Sequence, residues 1–529
     1  MKTLEESLQA SWQRLYRWAY QCRWLFVVTL LVAAGAHYVI YTNHLQNFDS
    51  LHIGSLYIAD FWEFSPRWET QQGHWGLRFV DMLRGGINQP PLSAFLLLLF
   101  YTLAALLLVR LFQVRSRLLR WLIPLTVVCA PYTAEVETYH YCSAAYALSF
   151  LLAVMAVTWV ACCTVRWRWI PGALCLLLAL SLYQASLGVA AGLSLMLIIF
   201  QLLRSPQDSR RTLCLTGQLM AMGIAGTAGY YVALKFFLRY YDTSLAGING
   251  INLVGLDLLK NLPEGLANAY VDFGKYFFTH DIAQNYYGQR VGYLLLFAVT
   301  LVVLVRWLVT SYRPAVAAGI AVLIALLPAA LDITDDINPN TRVELRMAGA
   351  LVLMVPFCLA LIDAAPRCTR HRVRWTVAAG AVCTVILLRG FVVQINNDAM
   401  VMLAQKNKIV NLANRICLQL EQNPDYQAGA EVCILGEPQK GLYEDLSPLN
   451  DKASDLAQFG LLSFDPTFNS RGWHSLYWEE LGINLNWCSD EETRTVCATD
   501  TFQQMPSYPQ EGCIRTIDGV VVVKVAEIR

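Results

Sequence analysis

The chain has 529 residues, of which 56% are apolar and 15% charged, with a net charge of +1. Soluble domains hold about 25% charged residues, so the shortfall points to lipid as solvent. A net charge this close to zero gives no case for nucleic-acid binding, and the placement of the basic residues says more than their number.

Residues 1–23 set Leu4, Leu8, Trp12, Leu15 and Trp18 close to helical spacing with Arg14 and Arg17 nearby, which predicts an amphipathic helix on the cytoplasmic surface. No small-residue cleavage site accompanies the apolar run that follows, so it reads as an uncleaved first span. Eleven runs of spanning length are expected: 24–42, 91–112, 121–134, 145–163, 169–183, 185–203, 213–238, 291–309, 315–331, 347–364 and 375–393. The fold class is therefore an α-helical polytopic membrane protein.

Basic residues alternate between the connections. Lys2, Arg14, Arg17 and Arg23 precede the first span, and Arg115, Arg117 and Arg120 follow the second. Arg166 and Arg168, then Arg204, Arg210 and Arg211, then Arg306 and Arg313, then Arg367, Arg370, Arg372 and Arg374 fill every second loop thereafter. Segment 135–144 and the turn near Tyr183 contain no Lys or Arg. The positive-inside rule then predicts a cytoplasmic N-terminus and, with an odd number of spans, an outward tail. Segments 43–90, 239–290, 332–346 and 394–529 face outward on this reading, and the chemistry belongs to them.

The first outward loop carries four carboxylates, Asp49, Asp60, Glu63 and Glu69. A general base for a sugar hydroxyl needs a carboxylate held close to the membrane surface and partly desolvated. Asp49, about seven residues past the first span, is the first choice, with Asp60 and Glu69 behind it; simple solvation of the loop is the bland alternative for several of these acids. Residues 68–86 predict an interfacial helix with Trp75, Phe79 and Leu83 on one face and Arg78 offset. Arg78 or Arg84 suits a phosphate, which a guanidinium grips with two parallel hydrogen bonds, or equally a lipid headgroup.

Further along, the short stretch 135–143 packs Glu135, Glu137 and His140 among tyrosines, the second-best group for binding a sugar. Tyr183 and Gln184 interrupt an apolar run at a tight turn, where polar groups need partners inside the bundle. Residues 252–280 alternate apolar and polar at helical intervals, predicting one or two interfacial helices broken around Pro263 and Gly265 that flank a lipid tail. Arg342 and Arg346 stand at the mouth of the tenth span as candidates for a lipid-phosphate clamp; a salt bridge to Asp332, Asp335 or Asp336 is the competing reading. Arg389, about one turn inside the last span, has a similar claim.

The tail predicts a helix from Gln394 to about Gln422 and strands at Glu431–Leu435 and Gly519–Val525, a small α+β domain within 394–529. Trp473, Tyr477, Trp478, Trp487 and Tyr508 suit either sugar stacking or a small aromatic core. Cys417, Cys433, Cys488, Cys497 and Cys513 have no metal-site spacing. One or two disulfides are expected if the tail lies outside the cytoplasm, and none if inside. Walker A, GxSxG and HExxH motifs are absent from the chain, and its halves do not match as a transporter's would.

These residues resemble a known family. A first span followed by Asn47-Phe48-Asp49, the loop pairing Trp68-Glu69 with Trp75 ahead of Leu83–Gly86, the run Leu182–Ala185 and the arginine-bearing loop before the tenth span are similar to the GtrII-type serotype-converting O-antigen glucosyltransferases. Two departures stand out: Gly73-His74-Trp75 where relatives commonly read Gly-Arg-Trp, and Asp49-Ser50 where a double Asp is common.

The resemblance implies a GT-C-type glycosyltransferase of the bacterial inner membrane with its tail in the periplasm. It implies a donor glucose on undecaprenyl phosphate, which supplies activation without a nucleotide sugar, and a lipid-linked O-antigen (lipopolysaccharide) acceptor. A carboxylate (Asp49, then Glu69 or Asp60) would deprotonate the acceptor while Arg346, Arg342 or Arg78 holds the departing phosphate. No cofactor is called for, and the involvement of a divalent metal is left open. The alternatives are a transporter or flippase of lipid-linked sugars, which would need charges in mid-membrane, and an O-antigen polymerase, which would not need the folded tail.

Overall fold

The computed structural model describes residues 4–51, 65–83, 89–163, 165–205, 208–246, 258–333, 343–366, 370–424, 426–437, 450–453, 459 and 465–528. Asp60, Glu63 and Arg342 lie outside the described residues, as do Arg84, Asp335 and Asp336.

Among the described residues eight helices are long and apolar enough to cross a membrane, where eleven were expected. The first, α1 (Leu4–Thr42), runs without a break through Arg23, so the expected surface helix and first span are one element. Neither Gly nor Pro stands near Arg23 to end it. After α2 (Ser65–Gln71) and α3 (Leu77–Leu83), which lie in the first long loop, α4 (Pro90–Leu111) returns through the bundle.

The three expected spans that fall short are α5 (Arg117–Val128), α8 (Trp169–Leu182) and α13 (Pro314–Ala325), of 12, 14 and 12 residues. At 1.5 Å per residue these reach only about 18–21 Å, against a hydrocarbon core of roughly 30 Å. Each stops for a local reason. Pro131 starts a separate helix, α6 (Pro131–Thr138), Tyr183 is extended, and Pro328 lies in the separate α14 (Leu327–Leu331). Between them run α7 (Ser143–Cys162), α9 (Ser186–Arg204), α10 (Ser209–Tyr240), α11 (Leu258–Phe278) and α12 (Gln289–Ser311). Pro263 sits inside α11, so the expected break at Pro263 and Gly265 does not occur. A 3-10 turn at Ala348–Leu353 leads into α15 (Met354–Ala364).

The last span does not end at the membrane. Helix α16 (Arg370–Gln422) continues for 53 residues, about 80 Å. Past the span, Ile395, Ala399, Met402, Ile409, Leu412, Ala413, Ile416 and Leu420 share one face at helical spacing and are buried. This stripe carries the tail.

The tail holds a four-stranded sheet in the order β2-β1-β4-β3, made of β1 (Glu431–Leu435), β2 (Asn486–Trp487), β3 (Ile514–Ile517) and β4 (Val520–Lys524). Strand β1 is parallel to both neighbours, and β3 and β4 form a hairpin through Asp518-Gly519, both at positive φ as a tight two-residue turn requires. Val432, Ile434, Val521 and Val523 face α16 and α17 (Pro466–Leu476). Cys433, Leu435, Val520 and Val522 face the other way, onto α18 (Asp490–Cys497) and α19 (Asp500–Gln504). Trp473 and Tyr477 are core residues, their polar atoms spent on the Gly436 and Ala413 carbonyls at 3.1 and 2.8 Å. Of the five aromatic candidates for sugar stacking, Trp478 is the one left exposed.

Contacts sort the connections into two ends. Arg204 binds Gln113 and the Phe112 carbonyl, and Asp363 accepts from the backbone of Arg115 and Ser116, gathering three basic loops at one end. At the other, the tail docks on the end of α1. Lys406 donates to the Asn43 carbonyl at 2.8 Å and pairs with Glu480 at 2.7 Å, and Gln46 donates to Glu479 at 2.6 Å.

Burial pushes the Glu479 carboxyl up to about 7; Gln46 opposes the rise, Glu480 adds to it and Lys406 opposes it. A carboxyl raised in the folded state favours folding while protonated and loses that contribution as pH climbs through its folded pKa. Wild-type protein should therefore lose stability against Glu479→Gln between pH 5 and pH 8, by at most roughly 3 kcal/mol. Thermal melting in detergent at both pH values checks it, and parallel pH dependences would refute it.

Candidate active site

Four segments distant in sequence meet at the tail-bearing end. The helical residues 48–51 begin at Asn47, whose side chain accepts from the Ser50 amide at 3.0 Å. The turn is pinned to the end of α6, since the Asn47 amide and Ser50 hydroxyl both donate to the Thr138 carbonyl, at 3.2 and 3.0 Å. This anchoring holds Asp49 in place.

Opposite Asp49 stands Arg346, from the turn ahead of the 3-10 segment. Its Nη1 lies 3.8 Å from Asp49 Oδ2, its Nη2 2.6 Å from Glu344, and its guanidinium 4.8 Å over the Tyr139 ring. Arg346 therefore pairs with Asp49 and Glu344. Asp332, one of the three acids weighed as its partner, is buried at the end of α14. The Asp49 and Arg346 side chains keep 27% and 21% of their surface exposed, so the pair is reachable from outside.

The floor is aromatic. Tyr183 stacks on Tyr146 with ring centroids 4.0 Å apart and donates to the Arg346 carbonyl at 3.2 Å. His74 packs 5.9 and 5.7 Å from these two rings. Burial, with the Arg346 charge adding to it, lowers the imidazole to about 4 against a hydrogen bond that the ring donates to the Leu182 carbonyl. His74 is neutral near pH 7 and supplies no cation in place of the arginine of Gly-Arg-Trp.

The loop bearing His74 is clamped. Gln184 donates to the Gln72 carbonyl at 2.9 Å and Tyr230 to the Gly73 carbonyl at 3.0 Å. Gly73 has φ +79°, and a Cβ there would lie 2.1 Å from the Gln184 amide nitrogen, so only glycine fits. Gln184 thus serves the loop.

Other expected site residues go elsewhere. Trp75 stacks on Phe237 of α10 at 4.8 Å in a small apolar cluster and does not present its face to a sugar. Glu137, expected in a loop, lies in α6 and meets His37 of α1 at 2.5 Å; the His37 ring also reaches the Val128 carbonyl at 2.9 Å. Turned into the bundle, Glu137 is not presented to a substrate. Glu69, Arg78, Glu135 and His140 are all buried, Glu69 on α2, Arg78 on α3, and Glu135 and His140 on α6 and the turn after it. Arg389 donates to the Tyr287 carbonyl at 3.1 Å. Tyr139, Tyr146 and Glu344 were not singled out from the sequence. Glu344 was the one with a signal, two residues before Arg346.

An α-helical membrane bundle with a reachable carboxylate, a guanidinium and an aromatic floor at one end is equipped for group transfer to a hydroxyl. A family model described as Glucosyl transferase GtrII matches residues 38–384, well over half of the chain. The chain belongs to this family, as its motifs led one to expect. It is a glucosyltransferase, an enzyme with a sugar donor and an acceptor. The matched stretch contains Asp49, His74, Tyr146, Tyr183, Glu344 and Arg346 and ends within α16, short of the sheet. No curated protein and no solved structure matches the chain.

Proposed function

We propose that this enzyme moves glucose from undecaprenyl phosphate to a hydroxyl of lipid-linked O-antigen at the periplasmic face of the inner membrane. Asp49 takes the proton of the acceptor hydroxyl as its oxygen attacks the anomeric carbon. The bond from that carbon to the phosphate oxygen breaks, and Arg346 stabilises the charge on the departing lipid phosphate. Tyr183, stacked on Tyr146, holds the Arg346 turn through its hydrogen bond to the Arg346 carbonyl.

The observation that carries this reading is the Asp49–Arg346 pair, brought together at the end opposite the basic loops. Base and phosphate partner sit side by side where a lipid carrier can reach both. The sidedness is supported by the alternation of basic loops.

The test is mass and linkage analysis of O-antigen from isogenic cells with and without the chain. An added hexose is expected only when the chain is present, and polysaccharide identical in both would overturn the proposal.

A further inference from the structure

The exposed-edge strand β2 carries an unusual juxtaposition. Its register with β1 pairs Glu431 with Asn486 and Val432 with Trp487, so the next residues, Cys433 and Cys488, stand side by side. The Cys488 amide donates to the Val432 carbonyl at 3.1 Å, which holds the two backbones at strand spacing. Both sulfurs converge on one hydroxyl, Thr493 Oγ1, at 3.9 Å from Cys433 and 3.2 Å from Cys488. The position is fixed from behind. Ser489, directly after Cys488, closes a capping box with Glu492 that starts α18. Neighbouring strands lie about 4.8 Å apart, inside the 4.4–6.8 Å between Cα atoms that a disulfide spans.

We propose that Cys433 and Cys488 form the structural disulfide of the tail, tying the two-residue strand β2 to the centre of the sheet. The inference rests on the outward placement of the tail, since such a bond persists only in an oxidising compartment.

Cys433 lies on β1 inside the sheet and Cys488 just after the edge strand β2, so Cys488 is the thiol that meets an oxidant first. Cys488 attacks a sulfur of an oxidant of the disulfide class, a dithiol oxidase in its oxidised form, and expels one thiolate. Cys433 then attacks the Cys488 sulfur of the mixed disulfide and expels the second. The pair loses two protons and two electrons, and the oxidant leaves as a dithiol. Both cysteines are buried in the finished sheet, so the exchange takes place before β2 docks. Cys513 packs on the other face of the sheet, and Cys497 ends α18 outside the strand register.

The test uses the full chain in its native membrane. Free thiols are blocked with N-ethylmaleimide in intact cells, and the purified protein is then mapped by mass spectrometry without reduction. A linked pair of peptides containing Cys433 and Cys488, lighter by the two lost hydrogens and separated by reductant, is expected, and Cys497→Ser should leave it intact. Maleimide on both residues, or either one joined to Cys417, Cys497 or Cys513, overturns the bond. A reporter fused after Arg529 separates the two proposals. Free thiols on an outward tail sink the disulfide alone, whereas an inward tail sinks the periplasmic reading and the disulfide with it.

Discussion

Asp49→Asn protein is expected to accumulate in the membrane at the wild-type level and to transfer glucose about 10²- to 10⁴-fold more slowly, the usual contribution of a positioned general base. Asparagine has the shape of aspartate and keeps an oxygen toward Arg346, so the Asn47–Thr138 anchoring that holds the turn should survive. What it loses is the ability to take a proton. A purified-enzyme assay with a lipid-phosphate glucose donor gives the rate, and the thermal midpoint shows that the fold is kept. Turnover within about threefold of wild type would move the base elsewhere, a change of less than roughly 1 kcal/mol in the barrier.

The second large effect concerns Arg346. Arg346→Lys keeps the charge but loses the planar fork that meets two phosphate oxygens at once. Losing one charge-assisted hydrogen bond, worth about 1.5–3 kcal/mol, corresponds to roughly a 10- to 150-fold weaker hold on the donor. The expected signature is a rise in donor KM with the acceptor KM held within about twofold, because in the proposed reaction the phosphate belongs to the donor alone. Arg346→Ala should fall further. It leaves Asp49 and Glu344, 3.8 and 2.6 Å from the guanidinium, with no cation between them. An equal change in both KM values, or in neither, would mean that Arg346 only braces the turn.

These two residues were both legible in the sequence, each for its own reason. Asp49 stood just past an apolar run, and Arg346 stood with Arg342 in an outward loop of a chain whose other short outward loops lack cations. Their partnership was not legible. They lie nearly three hundred residues apart, and nothing local to either names the other. Trp75 and Glu137 show the opposite case. Both had the chemistry of a binding residue, but Trp75 is drawn into the face of α10 by its own apolar area and Glu137 into the bundle by His37. For these two the bundle's packing settled the role.

Hydropathy is additive along a chain, residue by residue, so the membrane class, most spans, the alternation of basic loops and two of the four strands of the tail, β1 and β4, followed from the amino acids alone. Where a helix stops also depends on neighbours. Three apolar runs therefore end short, at 12 to 14 residues, while α16 runs on for 53 because a stripe of its residues is covered by the tail. The site belongs to this second kind of property. An ion pair, a ring stack or a pair of thiols exists only when packing has brought distant residues within a few ångströms, and that proximity is a consequence of the whole folded chain.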